Sequence, residues 1–335
     1  LMGIDQVIGQ EQIKDYIKKA VKKSKVSHAY ILCGEKGTGR MALAKLFAAS
    51  LQCMGNTGAE DFKGPCGECR SCRQMQSGNQ PDVITVTQEK KTGIGIDEIR
   101  YQVNNSVTVK PYAGPYKVYI IPNADKMTEQ AQNALLKTIE EPPEYVVIIL
   151  IAENASAFLP TILSRCVLLN MKPVSEAVIT KYLIDSCKLP DYAAHSCAVF
   201  AQGNIGKAVR YAADGDFMEL MNNVIRVLRS LDSKRTDELA GVVKHIKEEH
   251  FDIDDYLDIM ILWYRDVLLY KAVKDNNMLI FRDEVKYIAA DAKVRSYENI
   301  EKCIKAIEKA KIRLNANVNF DITIELLLIT LKEIW

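Results

Sequence analysis

Residues 29–41 read Ala-Tyr-Ile-Leu-Cys-Gly-Glu-Lys-Gly-Thr-Gly-Arg-Met. The first five are apolar and run into turn formers, the pattern of a short strand buried on both faces. Gly34, Gly37 and Gly39 follow, and residues 42–51 then take up a helical pattern. Strand, glycine loop and helix in that order frame a phosphate-binding loop, where backbone N–H groups and the positive helix end cradle anionic oxygens. The full motif closes with Lys and then Ser or Thr, an amine for the β/γ-phosphates and a hydroxyl for Mg²⁺. Arg40 and Met41 hold those places. A guanidinium is bulky and forked where a compact ammonium is required, and a thioether is a poor ligand for a hard cation. Taken alone, the loop also reads as an ordinary strand-to-helix turn.

A second stretch removes that alternative. Residues 117–121 (KVYII) read as a buried strand of the kind that ends in Asp-Glu in phosphate-loop ATPases, one acid steadying the metal and the other activating water. Here the two places are Pro122 and Asn123, and Asp125 comes too late to replace them. The combined reading is a nucleotide-binding α/β fold that does not hydrolyse ATP. Gly34, Gly37, Gly39 and Arg40 are its cofactor-binding candidates, and passive ATP or ADP binding stays open.

A chain of 335 residues suggests two or three domains at ~100–200 residues each. The net charge of +1 argues against a generic polyelectrolyte binder, so any nucleic-acid contact must be a local patch. No stretch approaches the ~18 apolar residues of a membrane span, and no basic-then-apolar leader is visible. Both features predict a cytoplasmic chain without a membrane partner. Leu1 before Met2 reads as a cloning remnant.

Four of the nine cysteines cluster. Cys66, Cys69 and Cys72 stand at two-residue spacings, so their thiolates can converge on one centre, and Cys53 can complete a tetrahedral set. Gly64, Pro65 and Gly67 supply the turns of a knuckle. Four thiolates leave no open position for water, which predicts structural rather than catalytic Zn²⁺. An iron–sulfur cluster or free thiols are the alternatives. Cys33, Cys166, Cys187, Cys197 and Cys303 lie in apolar runs and read as packing residues.

Strands at 29–33, 82–87, 117–121, 145–152 and 167–169 alternate with helices at 10–25, 42–51, from 96 and at 129–140. This alternation predicts a doubly wound parallel sheet. The loop 90–95 is polar. Thr128 reads as an N-cap, and Pro142-Pro143 stop the helix it opens. Lys18, Lys19, Lys22, Lys23 and Lys25 gather towards the end of the first helix, where a favourable helix terminus and a solvated face account for them better than a DNA patch. Arg165, within Ser164-Arg165-Cys166, falls between a helix and a strand at the rim of the sheet. On position alone it is either a helix-end cation or a group that reaches into a neighbouring subunit. Beyond residue 172 the pattern is helical, with short helices at 176–186, 191–202 and 205–213 and longer ones at 255–273, 299–313 and 320–335. The last is apolar nearly all round, which predicts burial inside a bundle or against partners. His195, His245 and His250 have no partners at ligand spacing. The domains are then 1–170, with the cysteine module at 53–72, a small helical domain at 171–213 and an all-α domain at 214–335.

With these residues laid out, the chain resembles bacterial clamp-loader subunits of the AAA+ class. The resemblance is carried by Val7-Ile8-Gly9-Gln10, His28-Ala29-Tyr30, the altered phosphate loop and the four-cysteine module. It continues through residues 131–143 (AQNALLKTIEEPP), residues 159–166 (LPTILSRC) and Asn317-Val318-Asn319. It implies a ring built with delta and tau/gamma subunits and joined through C-terminal collars, which opens the sliding β-clamp and places it on primed DNA as part of DNA polymerase III, a DNA-directed DNA polymerase. It maps the family's zinc module onto Cys53, Cys66, Cys69 and Cys72, with a long gap after Cys53. It also maps an arginine offered to ATP in an adjacent tau/gamma subunit onto Arg165. Residues 203–209 (GNIGKAV) correspond to the family's second sensor segment, with Lys207 nearest the arginine of active ATPases.

Tau/gamma subunits keep Lys-Ser/Thr in the loop and Asp-Glu on the second strand, so the loss of both implies a non-hydrolysing member of the ring. Two other classes compete. One is a divergent tau/gamma-like ATPase that uses Arg40 in place of lysine. The other is a free-standing DNA-binding or zinc-knuckle protein, against which the near-neutral charge argues.

Overall fold

The computed structural model describes residues 4, 7–55, 62, 64–88, 93–213, 217–231, 235–249 and 251–334. The Leu1–Met2 start, part of the 90–95 loop, His250, Trp335 and the boundary at 214 fall outside them. The chain divides into two compact units, Leu1–Arg210 and Tyr211–Trp335.

The first unit is built on five parallel strands: β1 Ala29–Cys33, β2 Val83–Thr85, β3 Lys117–Ile121, β4 Val146–Ala152 and β5 Val167–Asn170. They lie in the order β2-β3-β4-β1-β5, so β1 is bonded on both sides. Consecutive side chains of a strand point to opposite faces, and β1 shows why each must be apolar. Tyr30 and Leu32 enter one core with Ile17, Leu43 and Phe47. Ala29, Ile31 and Cys33 enter the other with Ile99, Leu135 and Ile162.

Helices α1 Glu11–Lys22, α2 Arg40–Gln52 and α3 Arg70–Gln76 follow in chain order, then α4 Ile96–Ile99, which runs into a π-helical turn at Arg100–Asn104. Then come α5 Glu129–Glu140 and α6 Pro160–Leu163. Thr128 caps α5, its hydroxyl oxygen accepting from the Ala131 N–H at 3.2 Å. Several boundaries differ from the sequence reading. Helix α2 starts at Arg40 rather than 42, because Gly39, at φ 92°, already turns the chain and accepts from the Leu43 N–H at 2.9 Å. Strand β2 spans three residues rather than six, although single bonds to β3 flank it, from the Val118 N–H to the Asp82 carbonyl at 2.7 Å and from the Val86 N–H to the Ile120 carbonyl at 2.8 Å. The helices α7 Glu176–Cys187, α8 Asp191–Phe200 and α9 Ile205–Ala213 follow the sheet.

Asp82 is the polar anchor of this unit. It is buried, and its carboxylate accepts from the backbone N–H groups of Tyr112, Ala113 and Gly114 at 2.6, 2.6 and 2.9 Å. Lys117, also buried, donates to the Ser106 and Val109 carbonyls at 2.6 and 3.1 Å. Burial pushes its ammonium below the usual lysine range, and Asp82 partly offsets this. Together the two residues fold the 106–114 segment against the start of β3.

The second unit is helical: α10 Phe217–Ser230, α11 Leu239–Glu248, α12 Ile253–Val273, α13 Val285–Val294, α14 Tyr297–Asn315 and α15 Phe320–Glu333. Helix α12 packs on α10, α13 and α14, and it buries Trp263 and Tyr264. Asp252 caps it, accepting from Asp254 and Asp255. Helix α15 is buried on one flank within this unit. Ile324, Leu327, Leu328 and Leu331 face inward, whereas Ile322 and Leu326 are 65% and 44% exposed. A helix at the margin of a bundle has neighbours on one side only.

Replacing Asp82 with Ala removes the shared acceptor of the Tyr112, Ala113 and Gly114 N–H groups. The Asp82→Ala chain is expected to lose about 2–4 kcal/mol of stability, read from urea unfolding of the first unit. An unchanged midpoint would show that the loop finds other acceptors.

Candidate functional site

The parallel strands deliver their C-terminal ends to one edge, where ligands of such sheets bind. Gly34 leaves β1 there and donates to the Ala152 carbonyl at 3.2 Å. The loop then turns through Gly37, at φ 94°, and Gly39, a backbone that side chains rarely adopt. Thr38 is buried and spends its hydroxyl on the Glu35 carbonyl at 2.8 Å.

Arg40 is also buried. Its Nη2 donates to Glu153 Oε1 at 3.3 Å, so the guanidinium turns to the end of β4. Asp125 does not enter the loop either. Its carboxylate accepts from the Glu153 N–H at 3.2 Å and ties the turn after β3 to the end of β4.

The start of α9 closes over the loop. Gly206 N–H donates to the Gly37 carbonyl at 2.9 Å, and Asn204 Nδ2 donates to the Lys36 carbonyl at 2.8 Å. Lys207 Nζ lies 2.8 Å from Glu35 Oε1. Both cations placed to read phosphates, Arg40 and Lys207, are therefore answered by carboxylates of the same chain. Neither Glu35 nor Glu153 stood out in the sequence. Glu35 is an unremarkable loop acid, and Glu153 lies far along the chain from Arg40.

Arg165 sits just past α6, with its side chain 41% exposed. Its Nη1 donates to the Thr161 carbonyl at 3.0 Å and to Ser164 Oγ at 3.2 Å, and its Nη2 lies 3.1 Å from Glu140 Oε1. Cys166 is packed against the second core of the sheet, and burial pushes its thiol up to about 12. It acts as an apolar plug rather than a nucleophile.

The four clustered cysteines come together, with all four sulfur atoms within 4.8 Å of one another. Cys53 joins them although residues 56–61 and 63, which bridge most of the gap, lie outside the described residues. Backbone N–H groups of Cys66, Cys69 and Cys72 point at the sulfurs of Cys53, Cys66 and Cys69, at 3.3, 3.4 and 3.4 Å. Burial pushes the Cys53 and Cys72 thiols up. At Cys69, burial is outweighed by N–H donation from Cys72 and Met54 and by the neighbouring thiols, and the group falls to about 6. Donors aimed at sulfur favour the thiolate form, so the set fits a soft or borderline metal ion and can hold one.

The packing of α9 on the loop rests on the absence of a side chain at Gly206. A Cβ there would lie 2.6 Å from the Gly37 carbonyl oxygen. The Gly206→Ala chain is expected to lift α9 off the loop, seen as faster deuterium exchange of the N–H at position 206, which donates to the Gly37 carbonyl, and a lower melting temperature. Unchanged exchange would mean that the contact is not needed.

The sequence matches a family described as the DNA polymerase III delta subunit over residues 9–175, and its C-terminal counterpart over residues 215–333. DNA polymerase III subunit delta-prime of Bacillus subtilis is 31% identical over 332 residues, 97% of this chain and 96% of that one. Subunit tau of the same organism is 28% identical, and the match covers 96% of this chain but 60% of tau. A gamma-subunit-related DNA polymerase III protein of Thermotoga maritima overlays with a TM-score of 0.47 and 19% identity, covering 95% of this chain and 98% of that one. With two family matches and 31% identity to the Bacillus subtilis delta-prime subunit along nearly its whole length, the chain belongs to the delta-prime family of DNA polymerase III clamp-loader subunits.

Proposed function

We propose that this chain is the ring member that does not hydrolyse ATP, and that it lends Arg165 to ATP bound by an adjacent tau/gamma subunit while the sliding β-clamp is placed on primed DNA. The observation that carries this reading is a contrast between two arginines. Arg40, inside the chain's own phosphate loop, is buried and paired with Glu153. Arg165, at the rim, is half-exposed and held by short local contacts. A guanidinium delivered from a neighbouring subunit stabilises charge on the transferring phosphoryl group, by roughly 10³–10⁵-fold in rate.

The divergent-ATPase reading requires Arg40 to face a phosphate, and its pairing to Glu153 counts against it. In our reading residues 214–335 form the collar that joins delta and tau/gamma partners, residues 171–213 the lid and residues 1–170 the AAA+ core. The ion at Cys53, Cys66, Cys69 and Cys72 is Zn²⁺ in a structural role, since four thiolates would fill its tetrahedral shell.

Two measurements test these points. In the reconstituted loader with clamp and primed DNA, Arg165→Ala in this subunit alone is expected to lower ATP turnover at least tenfold, with the assembly intact by gel filtration. Unchanged turnover would return Arg165 to a helix-end cation. Metal analysis of protein purified without chelators is expected to find about one zinc per chain, and well under that amount would overturn the zinc assignment.

A further inference from the structure

The contact between Arg165 and Glu140 is more specific than a surface ion pair. Glu140 is the last residue of α5, where the helix presents the negative end of its dipole. An acid there is locally unfavourable, and nothing in the helix calls for it. Pro142-Pro143 stop the chain just beyond, so the carboxylate stands at the terminus of a rigid element. It points to one cation, Nη2 of Arg165, at 3.1 Å.

The segment that bears Arg165 is fixed to the same helix by a second connection. The buried Gln132, in the first turns of α5, accepts from the Leu159 N–H at 2.9 Å and donates to the Ala157 carbonyl at 3.0 Å. This amide pins the chain immediately before α6. Within the following turn, the Arg165 and Cys166 N–H groups both donate to the Ile162 carbonyl, at 3.0 and 3.1 Å. Gln132 thus sets the backbone of the arginine from one end of α5, and Glu140 holds its side chain from the other.

The guanidinium has five N–H groups. Nη1 donates to the Thr161 carbonyl and Ser164 Oγ, and Nη2 lies 3.1 Å from Glu140 Oε1 as an ion pair. Nε–H donates to no group among the described residues, and with Nη2 it forms the edge of the guanidinium that can bind two oxygens of a phosphate. With both ion-pair partners 39–41% exposed, the pair contributes little to stability. Its consequence is geometric: a long side chain that would otherwise sample many rotamers is held in one, with its phosphate-binding edge open.

We propose that Glu140 is a positioning residue for Arg165, fixing the guanidinium before the neighbouring subunit's nucleotide arrives. This rests on the trans-acting role proposed above for Arg165. Glu140 itself touches no nucleotide. It lowers the barrier by keeping the arginine from having to be ordered during the reaction.

The test uses the complete reconstituted loader with clamp and primed DNA, comparing wild type, Glu140→Gln, Glu140→Ala, Arg165→Ala and the Glu140→Ala/Arg165→Ala double variant. Glu140→Ala is expected to lower kcat for ATP about tenfold with KM within about twofold, the split expected of an interaction that acts in the transition state. Glu140→Gln, which keeps an acceptor oxygen without the charge, falls between the two. The double variant matches Arg165→Ala alone, because the carboxylate has no effect without its arginine. Melting temperature and ring assembly stay unchanged for all variants.

A large loss in Arg165→Ala with full turnover in Glu140→Ala would overturn the positioning role and leave the arginine's role standing. A further loss in the double variant, or faster turnover in Glu140→Ala, would do the same. No loss in Arg165→Ala would overturn both.

Discussion

Everything that gives this chain a site depends on β1 being bonded on both sides. Its ladder with β4 and β5 makes it a central parallel strand, with both faces covered and no edge towards water. A strand in that position can only be apolar, and its C-terminal end must emerge at the sheet edge where the loops gather. The glycine turn and the end of β4 with Glu153 meet there because β4 flanks β1, whereas the segment carrying Arg165 leads into the start of β5, beside Tyr30, and so lies at the opposite edge of the sheet. Moving β1 to an edge would leave the same residues in the chain but scatter them in space.

At that edge the first unit has turned a phosphate loop into an internal contact. The frame that would present backbone N–H groups to an anion survives, with Gly37 and Gly39 in left-handed conformations. Its charges are spent within the chain, Arg40 on Glu153 and Lys207 on Glu35. The carbonyls of Lys36 and Gly37 accept from Asn204 and Gly206 at the start of α9. A buried arginine left unpaired would be costly, so Arg40 and the carboxylate that answers it form one structural unit. Helix α9 is held against the loop by the protein's own atoms.

Arg165 lies at the opposite extreme of the same physics. It is close enough to water to pair cheaply, and it is held by acceptors drawn from its own turn and from the end of α5. Ser164 has a direct part in this arrangement. Its hydroxyl donates to the Thr161 carbonyl at 3.1 Å and accepts from Arg165, so it orients the residue that follows it. Cys166 completes the triplet as a packing residue that anchors the turn to the core beneath.

Much was legible in the residues themselves. The five strands, the α5 cap at Thr128, the prolines that end α5 and the cysteine spacing are local features, and local propensity and periodicity settle local structure. The missing lysine and hydroxyl at Arg40 and Met41 needed only the motif. What the chain could not declare along its length were contacts between distant positions: Glu153 for Arg40, Glu35 for Lys207 and Asp82 for the 112–114 loop. Nor could it declare which flank of α15 its own unit covers, since apolar residues mark what can be buried and not what is. By itself the sequence determined the main elements, their order and which residues stand where a phosphate loop has Lys and Ser or Thr. Only the tertiary structure decided which carboxylate answers each cation, because pairing energy depends on distance and burial, and only the packed sheet sets these.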